Sequence, residues 1–181
     1  MSEDVDKRAL EELIADDSPY PRQAAKEISN KFNFKTPVNV VLTTHMPERT
    51  FVARLFEPDV AAVLDSWVKA PDVGFYEIAY SWRKGDHTKQ GKFNPDFFIR
   101  VKESPDVLVV ELKDDGDDSD ENRAKLKYAT EHFNRINGLQ DEVKYHMLFI
   151  SPESYDAFFQ ELRAGRGASY VSALQAALQE T

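Results

Sequence analysis

The first part of the chain combines short helical patterns with one β-branched segment. Apolar residues at helical spacing predict an amphipathic helix over residues 3–16, with a stripe formed by Leu10, Leu13 and Ile14. After the break at Tyr20-Pro21, a second short helix is expected from Arg22 to Phe32. The β-branched run Val38–Thr43 predicts a strand.

Pro47 favours the start of a further helix, because proline fits the first helical turn and Glu48 beside it suits the positive end of the helix dipole. The apolar stripe of this helix is formed by Phe51, Val52 and Leu55. Pro58 interrupts the pattern. A second helical segment is predicted beyond it, with apolar positions at Val63, Leu64 and Trp67.

From Gly74 the apolar period changes to two, which predicts strands. The stretch GFYEIAYSW, residues 74–82, alternates in this way, and the polar stretch RKGDHTKQGK that follows predicts a loop. Two more strands are expected at Phe93–Val101 and Val107–Lys113, joined by a turn near Ser104-Pro105-Asp106.

The last third predicts helices around one more strand. After the acidic run DDGDDSDEN, helical spacing predicts a helix from Asn122 to Asn137 and alternation a strand from Lys144 to Ile150. Ser151-Pro152-Glu153 is typical of a helix start, and the tail from Tyr170 to Leu178 is also expected to be helical.

This order predicts an α/β fold of the α+β kind, in which helices flank a central mixed β-sheet. Three antiparallel strands are expected before the long helix and one strand after it. We expect a helical and strand extension over residues 1–44, a main domain over 45–165 and a helical tail over 166–181.

Composition narrows the class of protein. With 181 residues, 41% hydrophobic and 30% charged, the chain has the profile of one globular domain. No apolar run is long enough to span a bilayer, and the acidic N-terminus lacks the apolar core of a signal peptide. Because there is no cysteine, disulfides and thiolate metal sites are excluded. We therefore expect a cytoplasmic protein with no membrane partner.

The net charge of −9 argues against a surface that coats nucleic acid broadly. It leaves local basic contacts open. A cluster of carboxylates that holds a divalent cation would also lower the net charge, because the metal is not counted.

Three charged residues interrupt the hairpin FNPDFFIRVKESPDVLVVELKDD, residues 93–115. Glu111 and Lys113 share one face of their strand. With a two- or four-residue loop, Asp96 on the other arm lies on that same face, and a loop centred between Glu103 and Ser104 places it directly opposite Glu111. A three-residue loop would break this parity.

Opposed carboxylates destabilise each other unless a cation lies between them. Two carboxylates, with water and a substrate phosphate in the remaining positions, form a ligand set that suits Mg²⁺. Such a metal stabilises charge in phosphodiester hydrolysis, and Lys113 could orient water or stabilise the developing negative charge. The alternative is an exposed strand face covered by salt bridges.

Pro95-Asp96 followed by Glu111-Leu112-Lys113 matches the PD-(D/E)XK motif of the restriction-endonuclease-like nuclease superfamily. The chain resembles most closely the C-terminal nuclease domain of the Res subunit of type III restriction enzymes. This resemblance covers roughly residues 47–160 and rests on the segments PERTFVARLF, GFYEIAYSWRKG, GKFNPDFF, VVELKDD and NRAKLKYATEHFNRIN. It implies a restriction-endonuclease-like core.

The resemblance also implies a Mg²⁺-dependent endonuclease for DNA, with Mn²⁺ as a substitute. Asp96, Glu111 and the Leu112 carbonyl would be metal ligands, Lys113 the catalytic lysine, and Glu48 an additional acidic residue. For Glu48, simple stabilisation of the helix dipole is an equal alternative.

DNA contacts are expected from two basic groups, with solvated surface charge as the alternative in both cases. They are the loop residues Arg83, Lys84, Lys89 and Lys92, and the helix residues Arg123 and Lys127. Because the chain has no GxxxxGK[ST] phosphate loop, it has no ATP site of its own. A helicase or translocase domain, or a modification subunit, is therefore an expected partner beside DNA.

The chain is either an excised domain or a stand-alone relative, and its sequence is compatible with an oligomeric protein. A catalytically inactive module of the same fold, binding DNA or a partner subunit, is the alternative function.

Overall fold

The structure is a computed structural model that describes residues 3–16, 24–27, 35–36, 40–71 and 74–180. Helix α1 spans Glu3–Ile14, as the apolar spacing predicts. Strands β1 (Ala24–Glu27) and β2 (Val40–Thr43) form an antiparallel pair. The helix predicted for Arg22–Phe32 is therefore wrong over Ala24–Glu27, where pairing with β2 overrides a local helical pattern. The rest of that prediction lies outside the described residues.

The central sheet has four strands in the order β3-β6-β7-β8. They are β3 (Leu64–Lys69), β6 (Phe97–Val101), β7 (Asp106–Leu112) and β8 (Lys144–Ile150). β6 is antiparallel to both β3 and β7, and β8 is parallel to β7. With helices on both faces, this sheet confirms the mixed α/β fold class.

Helix α2 spans Met46–Leu55 and α3 spans Pro58–Val63, as the two prolines predict. The helical continuation to Trp67 is wrong, because strand β3 begins at Leu64. A shift of register between Leu64 and Ser66 lets Leu64 and Trp67, three residues apart, both face the core. That bulge reproduces helical spacing within a strand.

Strands β4 (Ile78–Lys84) and β5 (His87–Phe93) form a two-stranded antiparallel hairpin outside the central sheet, which we call the arm. The loop predicted for residues 83–92 is thus wrong, as is the place of residues 75–82 in the central sheet. A tight turn at Gly85-Asp86 joins the strands, and Gly85 has the positive φ of 62° that the first position of a type II′ turn requires. The predicted strand Phe93–Val101 is divided by the link at residues 94–96, since Phe93 ends β5.

The C-terminal elements follow the sequence pattern closely. Helix α4 spans Asp120–Asn137, and Ser119 caps it by accepting a hydrogen bond from the Asn122 amide. A single 3₁₀ turn at Pro152–Ser154 leads into α5, Tyr155–Arg163. Helix α6 spans Ala173–Gln179 within the predicted tail.

Each face of the sheet has its own apolar core. On one side Phe51 of α2 lies among the rings of Phe97, Tyr155, Phe158 and Phe159, with centroid distances of 5.0–5.8 Å. On the other side the core is built by α4, α6 and the base of the arm, and it includes Val109, Leu126 and Phe133. No helix in the described part of the chain has the length and apolarity needed to cross a membrane.

The outer edge of β8 is closed by side chains of the α6 segment. The Phe149 amide donates to Gln175 Oε1 at 3.0 Å, and the Ser172 hydroxyl donates to the Phe149 carbonyl at 2.5 Å. Both side chains are buried. They occupy backbone groups that an edge strand would otherwise leave unpaired.

Candidate active site

The hairpin β6–β7 places Asp96 and Glu111 on neighbouring strands at the same level. Its loop has four residues, 102–105, and the pairs run from Arg100 opposite Val107 to Phe97 opposite Val110. One further step of this register sets Asp96 opposite Glu111. The parity predicted from the sequence is confirmed, with the loop centred between Glu103 and Ser104.

Asp96 is tied to both of its strand neighbours. The Leu112 amide donates to its Oδ2 at 2.6 Å, and its own carbonyl accepts from the Ala70 amide at 2.8 Å. The partly buried carboxylate lines a cavity at this end of the sheet. Asp96 is therefore held at a fixed position between β3 and β7.

Pro95 removes the strand donor that would otherwise pair with the carbonyl of Leu112. The Lys113 amide donates to the Ile150 carbonyl of β8 at 3.0 Å, so the Leu112 N–H and C=O point to the opposite side, toward β6. Continued pairing would make the residue at position 95 the donor to the Leu112 carbonyl, but proline has no N–H. The Leu112 carbonyl, which the resemblance implies as a metal ligand, therefore receives no hydrogen bond from position 95.

Glu111 of β7 and Lys113, which directly follows this strand, form a close ion pair. Lys113 Nζ is 2.6 Å from Glu111 Oε1, and Glu111 is only 4% exposed. Glu111 Oε2 is also buried, and the described residues offer it no hydrogen-bond partner. A buried carboxylate oxygen in that state is destabilising unless something else supplies positive charge or a donor.

Burial and mutual repulsion raise the pKa of Asp96, because its neighbour Glu111 is also acidic, although the Leu112 amide and Lys113 oppose the shift. Burial likewise raises the pKa of Glu111, against the charges of Lys113 and Lys125. Burial alone would lower the pKa of Lys113, but the charge and hydrogen bond of Glu111 outweigh it and raise that pKa. At this site Lys113 is therefore cationic, and a bound cation would stabilise the charged forms of Asp96 and Glu111.

Glu48, on the first turn of α2, also lines the cavity. Its Oε1 is 3.1 Å from Lys69 Nζ at the end of β3, and its Oε2 accepts from the Thr44 amide at 2.9 Å. The second contact satisfies a backbone donor ahead of the helix, as in a capping box. Glu48 therefore supports the helix start, and its negative charge also raises the pKa of Asp96. A role of Glu48 in a metal site stays a prediction.

The cavity has a volume of about 520 Å³ and opens between α2, the end of the arm and the end of β7. Asp96, Leu112 and Lys113 form part of its wall, and Lys92 of the arm lies on another part. Asp114 and Asp117, from the acidic run, add negative charge to the rim.

The donor set fits a hard divalent cation in its chemistry. Asp96, Glu111 and the Leu112 carbonyl supply oxygen atoms, and one of these oxygens is buried without a partner among the described residues. In the same part of the chain, no group of three or more His, Cys, Asp or Glu side chains is arranged to hold a metal ion. The fit therefore relies on two carboxylates and a carbonyl, with water completing the coordination.

Lys125 is a nearby cation that the sequence analysis missed. Its Nζ is 3.3 Å from Glu121 Oε1 and lies over the Tyr80 ring at 5.5 Å, and its charge lowers the pKa of Glu111. The available signal was helical position, since Lys125 precedes the buried Ala129 by four residues and so lies beside the apolar stripe.

The predicted DNA-contacting residues lie in different places. Arg123 donates to the carbonyls of Ala177 and Glu180, both at 2.7 Å, and so holds the C-terminal end of α6. Lys127 is exposed on α4. Of the arm residues, Lys92 lines the cavity, and Arg83, Lys84 and Lys89 lie toward the tip of the arm; all four are exposed.

Comparison with protein-family models, with curated proteins and with solved structures finds no match to this chain. The function must therefore be argued from the site itself.

Proposed function

We propose that this chain is a Mg²⁺-dependent nuclease domain that hydrolyses DNA phosphodiester bonds and is related to the Res subunit of type III restriction enzymes. The observation that carries the proposal is the convergence of Asp96 and Glu111 from adjacent strands, beside Lys113, with Glu111 Oε2 buried and unpartnered among the described residues. The motif lies on a strand–turn–strand–helix unit, β6–β7–α4, which is the context that the resemblance implies.

In this proposal Asp96, Glu111 and the Leu112 carbonyl hold the metal, with Mn²⁺ as a substitute for Mg²⁺. A bound cation would supply Lewis-acid stabilisation of negative charge on the scissile phosphate. The ammonium of Lys113 donates hydrogen bonds to a water or to a phosphate oxygen, and its raised pKa keeps it cationic. Glu48 fixes the α2 side of the cavity through Lys69 and Thr44.

The proposal also includes the setting of the activity. Residues 45–165 would be the nuclease domain, working in the cytoplasm with DNA as substrate. A helicase or translocase domain, or a modification subunit, would supply the ATP-dependent steps, because the sequence has no phosphate loop.

The test is cleavage of plasmid DNA by purified protein with Mg²⁺ or Mn²⁺. Glu111→Gln should lower the rate by about 10²–10³-fold or more, since it removes a ligand and a charge at the reacting centre. The matched control is Glu131→Gln on the exposed side of α4, which should cleave like the wild type. EDTA should abolish cleavage by the wild type and by Glu131→Gln. Full cleavage by Glu111→Gln would refute the assignment.

One observation favours the alternative, an inactive module of the same fold that binds DNA or a partner subunit. Two of the carboxylates already have internal counter-ions, because Lys113 pairs with Glu111 and Lys69 with Glu48. Calorimetry separates the two functions. A nuclease should bind Mn²⁺ in a manner that Asp96→Asn removes, whereas an inactive module requires no metal at this hairpin.

A further inference from the structure

The arm has a charge opposite to that of the chain that bears it. Its sixteen residues, 78–93, include Arg83, Lys84, Lys89 and Lys92 but only one acidic residue, Asp86, whereas the whole chain has a net charge of −9. The arm is thus a local basic surface on an acidic protein, and a polyanion is the partner that its charge complements.

Cross-strand pairing sorts the arm residues onto two faces. Opposed pairs place Ala79 with Lys92, Ser81 with Gln90, and Arg83 with Thr88 on one face. This face has small or polar side chains at its centre and a cation toward each end. A groove of about 570 Å³ runs along it, with Tyr128 of α4 as its wall.

The groove and the candidate active site meet at Lys92. Lys92 lines both the groove and the cavity that contains Asp96 and Lys113. From Lys92 to the level of Arg83 the strand advances four residues, or about 13 Å. That length matches about four nucleotides of a DNA strand at 3.4 Å each.

The arm is fixed to the body of the protein and does not project freely. The Tyr80 hydroxyl donates to Glu121 Oε1 at 2.6 Å, and the hydroxyls of Ser81 and Tyr128 lie 2.7 Å apart. Ile78 and Phe93 at the base of the arm are buried in the α4-side core. A basic surface held in this way keeps a constant position relative to the cavity.

We infer that the arm is a binding surface for the DNA backbone and that it guides about four nucleotides of one strand from the cavity toward the tip. This inference deepens the proposed function and rests on it for the identity of the polyanion. Arg83 and Lys92 contact phosphates, while Ser81 and Gln90 offer hydrogen bonds along the groove. Such contacts position DNA without selecting its sequence.

The experiment measures binding of a fluorescent 20-base-pair DNA duplex by anisotropy, in EDTA, over a series of salt concentrations. The test variant is the double substitution Arg83→Gln with Lys92→Gln, which removes the two cations of the groove face. The matched control is Arg100→Gln with Lys102→Gln, two exposed cations at the loop end of β6, remote from the cavity. Thermal melts confirm that both variants are folded.

Loss of two phosphate contacts should make the plot of log binding constant against log salt concentration less steep by about 1.8. It should also weaken binding by about tenfold in low salt. The control variant should keep the slope and affinity of the wild type. Wild-type binding by the arm variant would overturn the inference, and so would an equal loss in the control.

These results are independent of catalysis, because binding is measured without metal. If the arm variant binds normally while Glu111→Gln loses cleavage, the arm inference fails and the nuclease proposal stands. If the arm variant loses binding while Glu111→Gln cleaves like the wild type, the inference stands and the nuclease assignment fails.

Discussion

Asp96 and Glu111 are acidic residues in surroundings that disfavour their charged forms. Burial raises the pKa of both carboxyls, and repulsion by Glu111 adds to the shift of Asp96, whose pKa rises to about 8. In an unfolded chain an aspartate titrates near 4. Between these two values the folded protein retains protons that the unfolded protein has released, so the free energy of unfolding decreases as the pH rises.

The metal-free protein should therefore lose stability between pH 5 and pH 8, by no more than about 1.4 kcal/mol per pH unit for one proton. Asp96→Asn should show a flatter pH dependence, because its amide does not titrate. Thermal unfolding in EDTA at pH 5, 6, 7 and 8 measures the difference. Equal pH dependence in the two proteins would contradict the raised pKa of Asp96.

At the residue scale, strand parity was enough to predict which charged groups meet. Asp96, Glu111 and Lys113 follow from period-two geometry and one loop length. Lys125 and Lys69 did not follow, because each reaches the site through tertiary packing. Lys125 approaches from α4, and Lys69 approaches from a strand whose pattern imitates a helix.

At the scale of the element, the arm depends on one glycine. A Cβ atom at Gly91 would lie 2.7 Å from the ring of Tyr80, which covers this position from the opposite strand. Tyr80 in turn bonds Glu121 on α4. Any side chain at position 91 must displace the ring and loosen the contact between the arm and the helix.

Gly91→Ala should accordingly lower the free energy of unfolding by about 1–3 kcal/mol, the usual cost of overpacking. It should also weaken DNA binding, since the arm is no longer held in place. Urea denaturation measures the first effect. Gly138→Ala is the control, because its φ of −80° suits alanine and its nearest neighbours would be 3.5 Å away. A Gly91→Ala protein as stable as this control would show that Tyr80 adjusts freely.

The elements that the sequence misassigned share a physical cause. Strand β3 contains a bulge that moves its apolar residues out of period two, and strand β5 is almost wholly exposed, so no alternation of burial marks it. Helix α4 and strand β8 were predicted because each has one strongly apolar face or end. Periodicity reports burial, and it fails where a strand is irregular or solvated.

At the scale of the whole molecule, α6 protects an edge of the central sheet. Gln175 accepts from the Phe149 amide and donates to the Met147 carbonyl at 3.5 Å, which imitates a neighbouring strand. The sequence of α6 does not predict this contact. Its helical pattern predicts a helix, but the partner of a buried glutamine is decided by the packing.

Gln175→Ala should lower the free energy of unfolding by about 1–3 kcal/mol, because the buried Phe149 amide loses its acceptor. An opened edge should also promote self-association, which size-exclusion chromatography detects. Gln179→Ala, at an exposed position on the same helix, is the control. Equal stability and equal elution of the two variants would contradict a protective role for Gln175.

The hydrogen bond from the Ala70 amide to the Asp96 carbonyl has a consequence for how such a protein can diversify. The chain leaves the central sheet at Ala70 and returns at Asp96, only 2.8 Å away between these atoms. Residues 71–95 are thus an insertion whose two ends are joined by this hydrogen bond. Residue pairs can be added to or removed from the arm beyond Tyr80 and Gly91 without altering β3, β6 or the candidate active site. The length of the arm can therefore change by increments while the candidate active site stays the same.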